Sequence, residues 1–484
     1  MTGTPIRRRD VLKAGAALAA SGAVGPSFGI LRAGESPNEK LNVALMGVGA
    51  RGVHLYTKMF GDEDLQKHVN YVCFADPNER SRQRLYGHPV RDEYAREFDK
   101  RFGHLPYYRD YRRMLDKHDR EIDAVIVATT YGANFTATRW TIEMGKHAYT
   151  EKPIGITVEE ARQMPEIVRR TRRVTQMGNH GASRHGPAMF RNWVEGGVFG
   201  PVRELHVAIA QGPHRLKHLP TDRPGKPVPE TFDWDVFLGV EPRKPFPGMD
   251  WVEGQKGWAS VVGFGTGLTG NWGTHCCTGD VPALQLKNPT SLTLVECQPA
   301  DREHAWNVIV EYAFPERGGL VPMKVRMYLG GKDFLRSRMP IPEDLEPDRR
   351  ERLRMWNLHI IVGDRATAIC ENYNDGLRIV PESRMQAMIP EVKNVPETYT
   401  RARYNHFRSW VEACRAGDPH APRANWHDSA GALMEFLNLG HVVMRRGAVG
   451  KTLLWDADRM RFTNDEQATR LLSRPYRKEY VNWT

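Results

Sequence analysis

No run of about 18 apolar residues occurs in the sequence, so a membrane-spanning helix is not expected. Cysteine is scarce: there are six in 484 residues, none in a C-x-x-C pair, which excludes a disulfide framework. Cys276 and Cys277 adjoin His275, but no second ligand cluster accompanies them, and no metal is expected. Also missing is a basic arm or an aromatic-studded basic stripe. Lys and Arg are scattered beside Asp and Glu, which argues against a nucleic-acid partner. The net charge of +11 overstates the imbalance, because residues 1–33 hold five positive side chains and one negative, leaving about +7. No internal repeat is visible. What remains is an ordinary globular composition, 40% hydrophobic and 26% charged, in a chain long enough for two or three domains.

The N-terminus reads as an address. Arg8 and Arg9 precede Val11, Leu12 and Lys13, and the small, weakly apolar stretch Ala14–Gly25 follows. This resembles a twin-arginine export signal, with a small-x-small site at Ser21–Ala23. The first cysteine is Cys73, so no lipid-anchored cysteine follows it. The expectation is an exported, periplasmic protein handed over by the twin-arginine machinery, which carries folded proteins with cofactor in place. Residues 1–33 are therefore set apart as signal and linker.

Leu41–Met46 suits a buried parallel strand and runs into Gly47-Val48-Gly49-Ala50-Arg51-Gly52, a G-x-G-x-x-G. Gly47 permits the tight turn, Gly49 lets backbone approach a pyrophosphate, and Gly52 lets helix pack on strand. A second apolar run, Val69–Ala75, ends at Asp76, placed to hold a ribose hydroxyl and to repel a 2′-phosphate. NAD is expected over NADP, although Arg80 and Arg82 stand close in sequence. A helical stretch near Asp110–Asp119, a strand at Ile122–Ala128, a helix near Thr136–Met144 and a strand at His147–Thr150 continue the alternation, which implies a parallel sheet with helices on both faces. Two loops open at its carboxyl edge: Thr129-Thr130-Tyr131 and Glu151-Lys152-Pro153. The second precedes Thr157-x-x-Glu160, a capping box.

The Glu151-Lys152-Pro153 loop, following Gly145–Thr150, together with the Gly47–Gly52 motif, resembles the signature of the glucose–fructose oxidoreductase/inositol dehydrogenase (Gfo/Idh/MocA) family. The likeness extends through Gln176–Asn179, Asp233-Trp234-Asp235, Phe264–Gly267 and Leu471–Arg477. It implies an α/β protein with an N-terminal Rossmann domain, assigned to residues 41–165. A C-terminal α/β domain with an open, largely antiparallel sheet follows over residues 166–484. Alternating runs at Val202–Ala210, Ser291–Cys297, Asn307–Phe314 and Val321–Tyr328 agree. Pro213–Pro247 and Arg336–Arg354 read as surface excursions. Tyr404, Phe407, Val411 and Cys414 share one helical face, and a further helix is expected at about 428–444.

The resemblance makes Lys152 and His275 the candidate catalytic residues. The lysine reaches the reacting hydroxyl and the nicotinamide edge, and the histidine shares the proton relay. The family's Asp-x-x-x-His is here Asn271-Trp272-Gly273-Thr274-His275, so an amide stands where a carboxylate would steady an imidazolium. Asp280 is a possible substitute. Cofactor contacts are expected from Gly47, Val48, Gly49, Ala50, Arg51, Gly52, Asp76, Thr129, Thr130, Glu151 and Lys152. Substrate contacts are expected from Asn179, His180, Arg184, His185 and Asn271. Trp234 and Trp258 are the tryptophans best placed to stack on a sugar, with core packing the alternative. The family's usual Thr-Pro-Asp-His-x-His loop is here Thr129-Thr130-Tyr131-Gly132-Ala133-Asn134, which removes side-chain contacts of the histidines.

Three activities fit. The first is an NAD-dependent dehydrogenase of a sugar, polyol or sugar derivative. The second is a glycoside-cleaving enzyme that oxidises a ring carbon, eliminates the aglycone, adds water and returns the hydride. The third is a non-catalytic sugar-binding protein of the same fold. Export without a soluble cofactor pool favours a redox-neutral cycle on tightly bound NAD. A homo-oligomer is left open.

Overall fold

The computed structural model describes residues 40–210, 224–253, 257–298, 306–353, 357–402 and 405–481. The export signal expected at residues 1–33, the opening of the Pro-rich excursion and Tyr404 lie outside the described residues. No described helix is long and apolar enough to cross a membrane.

Strands β1 (Leu41–Met46), β2 (Val69–Ala75), β3 (Tyr107–Tyr108), β4 (Ala124–Val127), β5 (His147–Thr150) and β6 (Thr175–Met177) form one sheet in the order β3-β2-β1-β4-β5-β6. Every pairing in it is parallel. β1 is buried along nearly its whole length, as a central parallel strand covered on both faces must be. Because β6 pairs with β5, the sheet runs past residue 165, the boundary expected for the first domain. The strand order reverses between β1 and β4, and their carboxyl ends flank a crevice of the kind that takes ligands. One face of the sheet is filled by Leu45, Ile126 and Tyr149 against Phe60, Phe98, Phe407 and Trp410. The last two come from the helix His406–Ala416, so a distant segment completes the first core.

The second sheet has nine strands: β7 (Val202–Ala210), β8 (Ser291–Gln298), β9 (Trp306–Phe314), β10 (Met323–Gly330), β11 (His359–Gly363), β12 (Thr367–Cys370), β13 (Arg378–Val380), β14 (Thr452–Asp456) and β15 (Arg461–Phe462). Their order is β13-β12-β11-β7-β10-β9-β8-β14-β15. All neighbours are antiparallel except β7 and β10, which pair in parallel. Apolar alternation marks a strand but not its direction, and the long connection between β7 and β10 allows the parallel crossover. One face packs on the helices Val158–Thr171 and Gly431–Arg446. The other is covered in part by Phe334, Leu335, Met339 and Leu345. The charged excursion at Arg336–Arg354 thus contributes to a core through its apolar members.

Residues 224–253 and 257–266 form a strap. Phe232, Trp234, Leu238, Phe246, Trp251, Val252, Val261 and Phe264 give it a small core of its own. It docks on the first domain on both sides of the Gly47–Gly52 turn. Beyond β2, the Glu79 N–H donates to the Thr231 carbonyl at 3.0 Å and the Asp233 N–H to the Pro77 carbonyl at 2.8 Å. Beyond β4, the Gly132 N–H donates to the Phe264 carbonyl at 3.0 Å. The tail then fastens it. The Arg474 guanidinium donates to Glu160 at 2.8 Å, to the Gly263 carbonyl at 2.9 Å and to the Gly132 carbonyl at 2.6 Å. Arg477 donates to the Gly239 carbonyl at 2.8 Å and pairs with Asp235.

Candidate active site

The three glycines of the turn are not equivalent. Gly47 has φ +82° and lies against β4, where a Cβ would come within 2.3 Å of the Ala128 carbonyl oxygen. A Cβ on Gly52 would lie 2.0 Å from the Gly47 carbonyl oxygen. Over Gly49 the nearest atom to the Cβ position is Arg84 Nη2 at 3.6 Å, so this side of the turn is met by a cationic side chain at contact distance and by no backbone. A close-packed turn with a guanidinium over its middle glycine fits a pyrophosphate lying on its backbone. Asp76 sits at the end of β2, where its carboxylate accepts from the Val48 N–H (2.8 Å), the Asn78 N–H (2.8 Å) and the Ser81 hydroxyl (2.6 Å). Burial pushes its carboxyl up, against those three bonds. Asp76 thereby braces the Gly47–Gly52 turn through Val48.

Of the two arginines that stand close in sequence, Arg82 is engaged away from Asp76. Arg82 pairs with Asp99 at 2.5 Å and lies over the rings of Phe74 and Phe98, while the Arg80 side chain is exposed. On the other side of the turn, Arg51 donates to Glu151 at 2.7 Å, which ties the glycine motif to the Glu-Lys-Pro loop. Thr129 donates to the Asn134 side-chain oxygen at 2.9 Å, and Asn134 Nδ2 donates to the carbonyls of Glu151 (2.9 Å) and Pro153 (3.0 Å). The altered loop therefore still serves the site, because Asn134, fully buried, holds the backbone on either side of Lys152.

Lys152 and His275 come from different domains and converge here. Lys152 Nζ donates to the Asn271 side-chain oxygen at 2.7 Å and to its carbonyl at 3.1 Å. Asn271, which stands where the family's carboxylate would adjoin His275, is the partner of the lysine. Asp280 does not support His275 either. It is fully buried, 3.0 Å from His359 Nδ1, and accepts from Asn374 at 2.8 Å. The partner of His275 is Tyr373, whose hydroxyl is 2.7 Å from Nδ1. The His275 pKa lies well below its ordinary value, first because of burial and then because of the nearby charges of Lys152, His180 and Arg51. The imidazole is neutral at neutral pH.

Of the expected substrate residues, His180 joins this cluster, its ring 5.9 Å from that of His275 and 5.7 Å from that of Tyr373. Arg184 lies at the rim, 5.4 Å over the Tyr373 ring and 2.8 Å from Asp375. Asn179 is turned inward, donating to Thr278 at 2.6 Å, and His185 is exposed at the start of a helix. Trp234 is buried in the strap core, stacked on Phe237, and is no sugar platform. Trp258 is only partly buried and meets Tyr131 edge to face at 4.8 Å. Cys276 and Cys277 are buried, and burial pushes both thiols up.

Three residues of the site, Tyr373, Asn134 and Arg84, do not stand out in the sequence. Tyr373 sits in Asn372-Tyr373-Asn374-Asp375-Gly376, a turn signal that marks a loop without saying what it faces. Its φ of 60° is uncommon for an aromatic residue and directs attention to the site only once the backbone is seen.

Comparison with known proteins agrees with this geometry. Residues 41–179 match the model of the oxidoreductase family with NAD-binding Rossmann fold, GFO_IDH_MocA. A glycosyl hydrolase family 109 protein of Shewanella amazonensis is 28% identical over 165 residues, 33% of each chain. The chain thus spans about a third of the length of this curated relative. Among solved structures, an inositol dehydrogenase homolog from Azotobacter vinelandii, complexed with NADH and myo-inositol, superposes with a TM-score of 0.51 at 17% identity, over 86% of this chain and 98% of that one. The WlbA dehydrogenase from Bordetella pertussis, in complex with NADH and UDP-GlcNAcA, gives 0.52 at 12% identity, over 86% and 99%. At these identities the likeness concerns the fold.

Proposed function

From an NAD-binding Rossmann fold of the Gfo/Idh/MocA type at residues 41–179, we propose that the chain is an oxidoreductase acting on a CH–OH group of a sugar, polyol or sugar derivative. The observation that carries this reading is the convergence of Lys152 from the first domain and His275 from the second, beside the glycine turn. Bound NAD supplies a hydride acceptor. The protein must remove the hydroxyl proton and hold the carbon in line. His275 is poorly suited to keep a proton, since it is buried among cations with a phenol as its partner. Its role is to fix the hydroxyl through Nε2, which makes no hydrogen bond among the described residues. Lys152 is the base. The oxygens of Asn271 orient its Nζ. His180 and the Arg184–Asp375 pair line the substrate side.

A second reading, glycoside cleavage with no net redox change, is supported by the likeness to a glycosyl hydrolase family 109 protein. The same residues serve it. Oxidation of a ring hydroxyl to a ketone, with bound NAD as the hydride store, acidifies the neighbouring C–H; a base removes that proton as the aglycone leaves, water adds across the double bond, and the hydride returns to the ketone. Residues 1–33 are proposed to direct export to the periplasm through the twin-arginine machinery, on the strength of Arg8 and Arg9.

One experiment addresses these points. Full-length protein is recovered from fractionated cells, assayed for bound NAD, and incubated in deuterium oxide with polyols, aldoses and aryl glycosides. Oxidised sugar with NADH indicates a dehydrogenase. Aglycone release with deuterium beside the oxidised carbon indicates cleavage. Bound NAD with neither product nor exchange, together with an exclusively cytoplasmic location, would defeat both proposals.

A further inference from the structure

Arg84 is a half-buried cation held by carbonyls rather than by a carboxylate. Its Nε donates to the Ser81 carbonyl at 3.2 Å and its Nη1 to the Glu253 carbonyl, in the strap, at 2.6 Å. Among the described residues it forms no ion pair. Two carboxylates act on it at longer range, Glu253 of the strap and Asp76, which already accepts from two backbone N–H groups and a hydroxyl. Burial nevertheless pulls the Arg84 pKa down, outweighing both. Two carbonyls hold the guanidinium in one orientation, which leaves Nη2 3.6 Å from the Cβ position of Gly49. That places the cation over the middle glycine of the G-x-G-x-x-G turn.

We propose that Arg84 binds the pyrophosphate of the dinucleotide from above Gly49, in an orientation set by the Glu253 carbonyl of the strap. This rests on the reading of the first domain as an NAD site. A fork of N–H donors suits two phosphate oxygens, and a charge-assisted bond in a half-buried site is among the stronger polar contacts. The geometry also couples two events. With Arg84 held, the strap favours the dinucleotide, and by reciprocity the dinucleotide favours the docked strap. Release of cofactor then requires loss of the Arg84 contact or opening of the strap.

Binding of NAD, NADP, ADP and adenosine to cofactor-free full-length protein is measured by calorimetry for wild type, Arg84→Ala and Arg84→Lys. Thermal melting of the unloaded variants checks their folding. The expected result is roughly 10- to 100-fold weaker binding of NAD and ADP by Arg84→Ala. Adenosine, which lacks phosphate, should be unaffected, and lysine should restore part of the loss. Should the alanine variant not fold, the ratio of ADP to adenosine affinity in Arg84→Lys decides. Unchanged ADP binding overturns the proposal while wild-type NAD binding leaves the proposed function standing. A loss confined to NADP overturns it as well, since the guanidinium would then read a 2′-phosphate. Wild-type protein that binds no NAD overturns both.

Discussion

At the scale of single residues, the informative position is Asn271. An amide oxygen 2.7 Å from Lys152 Nζ orients the amine, whereas a carboxylate in the same place would also stabilise its charge. Asn271→Asp is therefore expected to raise the lysine's pKa, so that the acid limb of kcat/KM against pH moves to higher pH by about one unit or more. Activity at pH 7 should fall accordingly. A limb that does not move would return the role of base to His275. The Asn271–Lys152 pairing is not legible in the sequence, although each residue stands out there on its own. Sequence places an asparagine four residues before a histidine, and only the turn of the short helix Gly267–Asn271 directs that side chain across to the other domain. Tyr373 is out of reach for a similar reason: its partner His275 is 98 residues away, and nothing in the local pattern announces the contact.

The elements that sequence resolves well are those whose burial is simple. β1 is an apolar run covered on both faces, β2 becomes one toward its carboxyl end, and Thr157 caps its helix by accepting from the Glu160 N–H as the capping box requires. The strap is harder. Pro213–Pro247 reads as surface because proline breaks periodicity, yet from Phe232 onward its aromatics close into a core too short-ranged to show a period. Its fastening depends on a buried charge. Arg474 reaches Glu160, Gly132 and Gly263 together, and removing it strands the buried Glu160. Arg474→Ala should destabilise the protein by about 3–5 kcal/mol, the usual cost of breaking a buried pair from one side. Urea denaturation reads this, and a midpoint equal to that of the wild type would show that the tail is not what holds the strap.

For the whole molecule, two buried histidines set a pH limit. Burial lowers the pKa of His147 to about 4 and that of His406 to about 3. His147 accepts from the Val174 N–H at 2.9 Å, and His406 bridges Ser183 and the Met177 carbonyl at 2.7 and 2.9 Å. Both are neutral when folded and take up a proton near the ordinary histidine pKa of about 6.5 when unfolded. The unfolded state binds more protons below that value, so stability is complete above about pH 6.5 and declines as pH falls toward the folded values. Thermal melting should show this decline between about pH 6.5 and 4. His406→Gln should make it shallower, and an identical slope in that variant would remove His406 from the account.

The fastening of the strap by Arg474 also has a meaning in time. A ribosome that has delivered residue 180 has already made every strand of the nucleotide-binding sheet, but the guanidinium that ties its helices to the strap is still some 300 residues from synthesis. The nascent chain can form the sheet early, while the cleft beside the glycine turn stays without its roof. The core of that sheet is itself completed by Phe407 and Trp410, so its packing and its fastening both wait on segments made long after its strands.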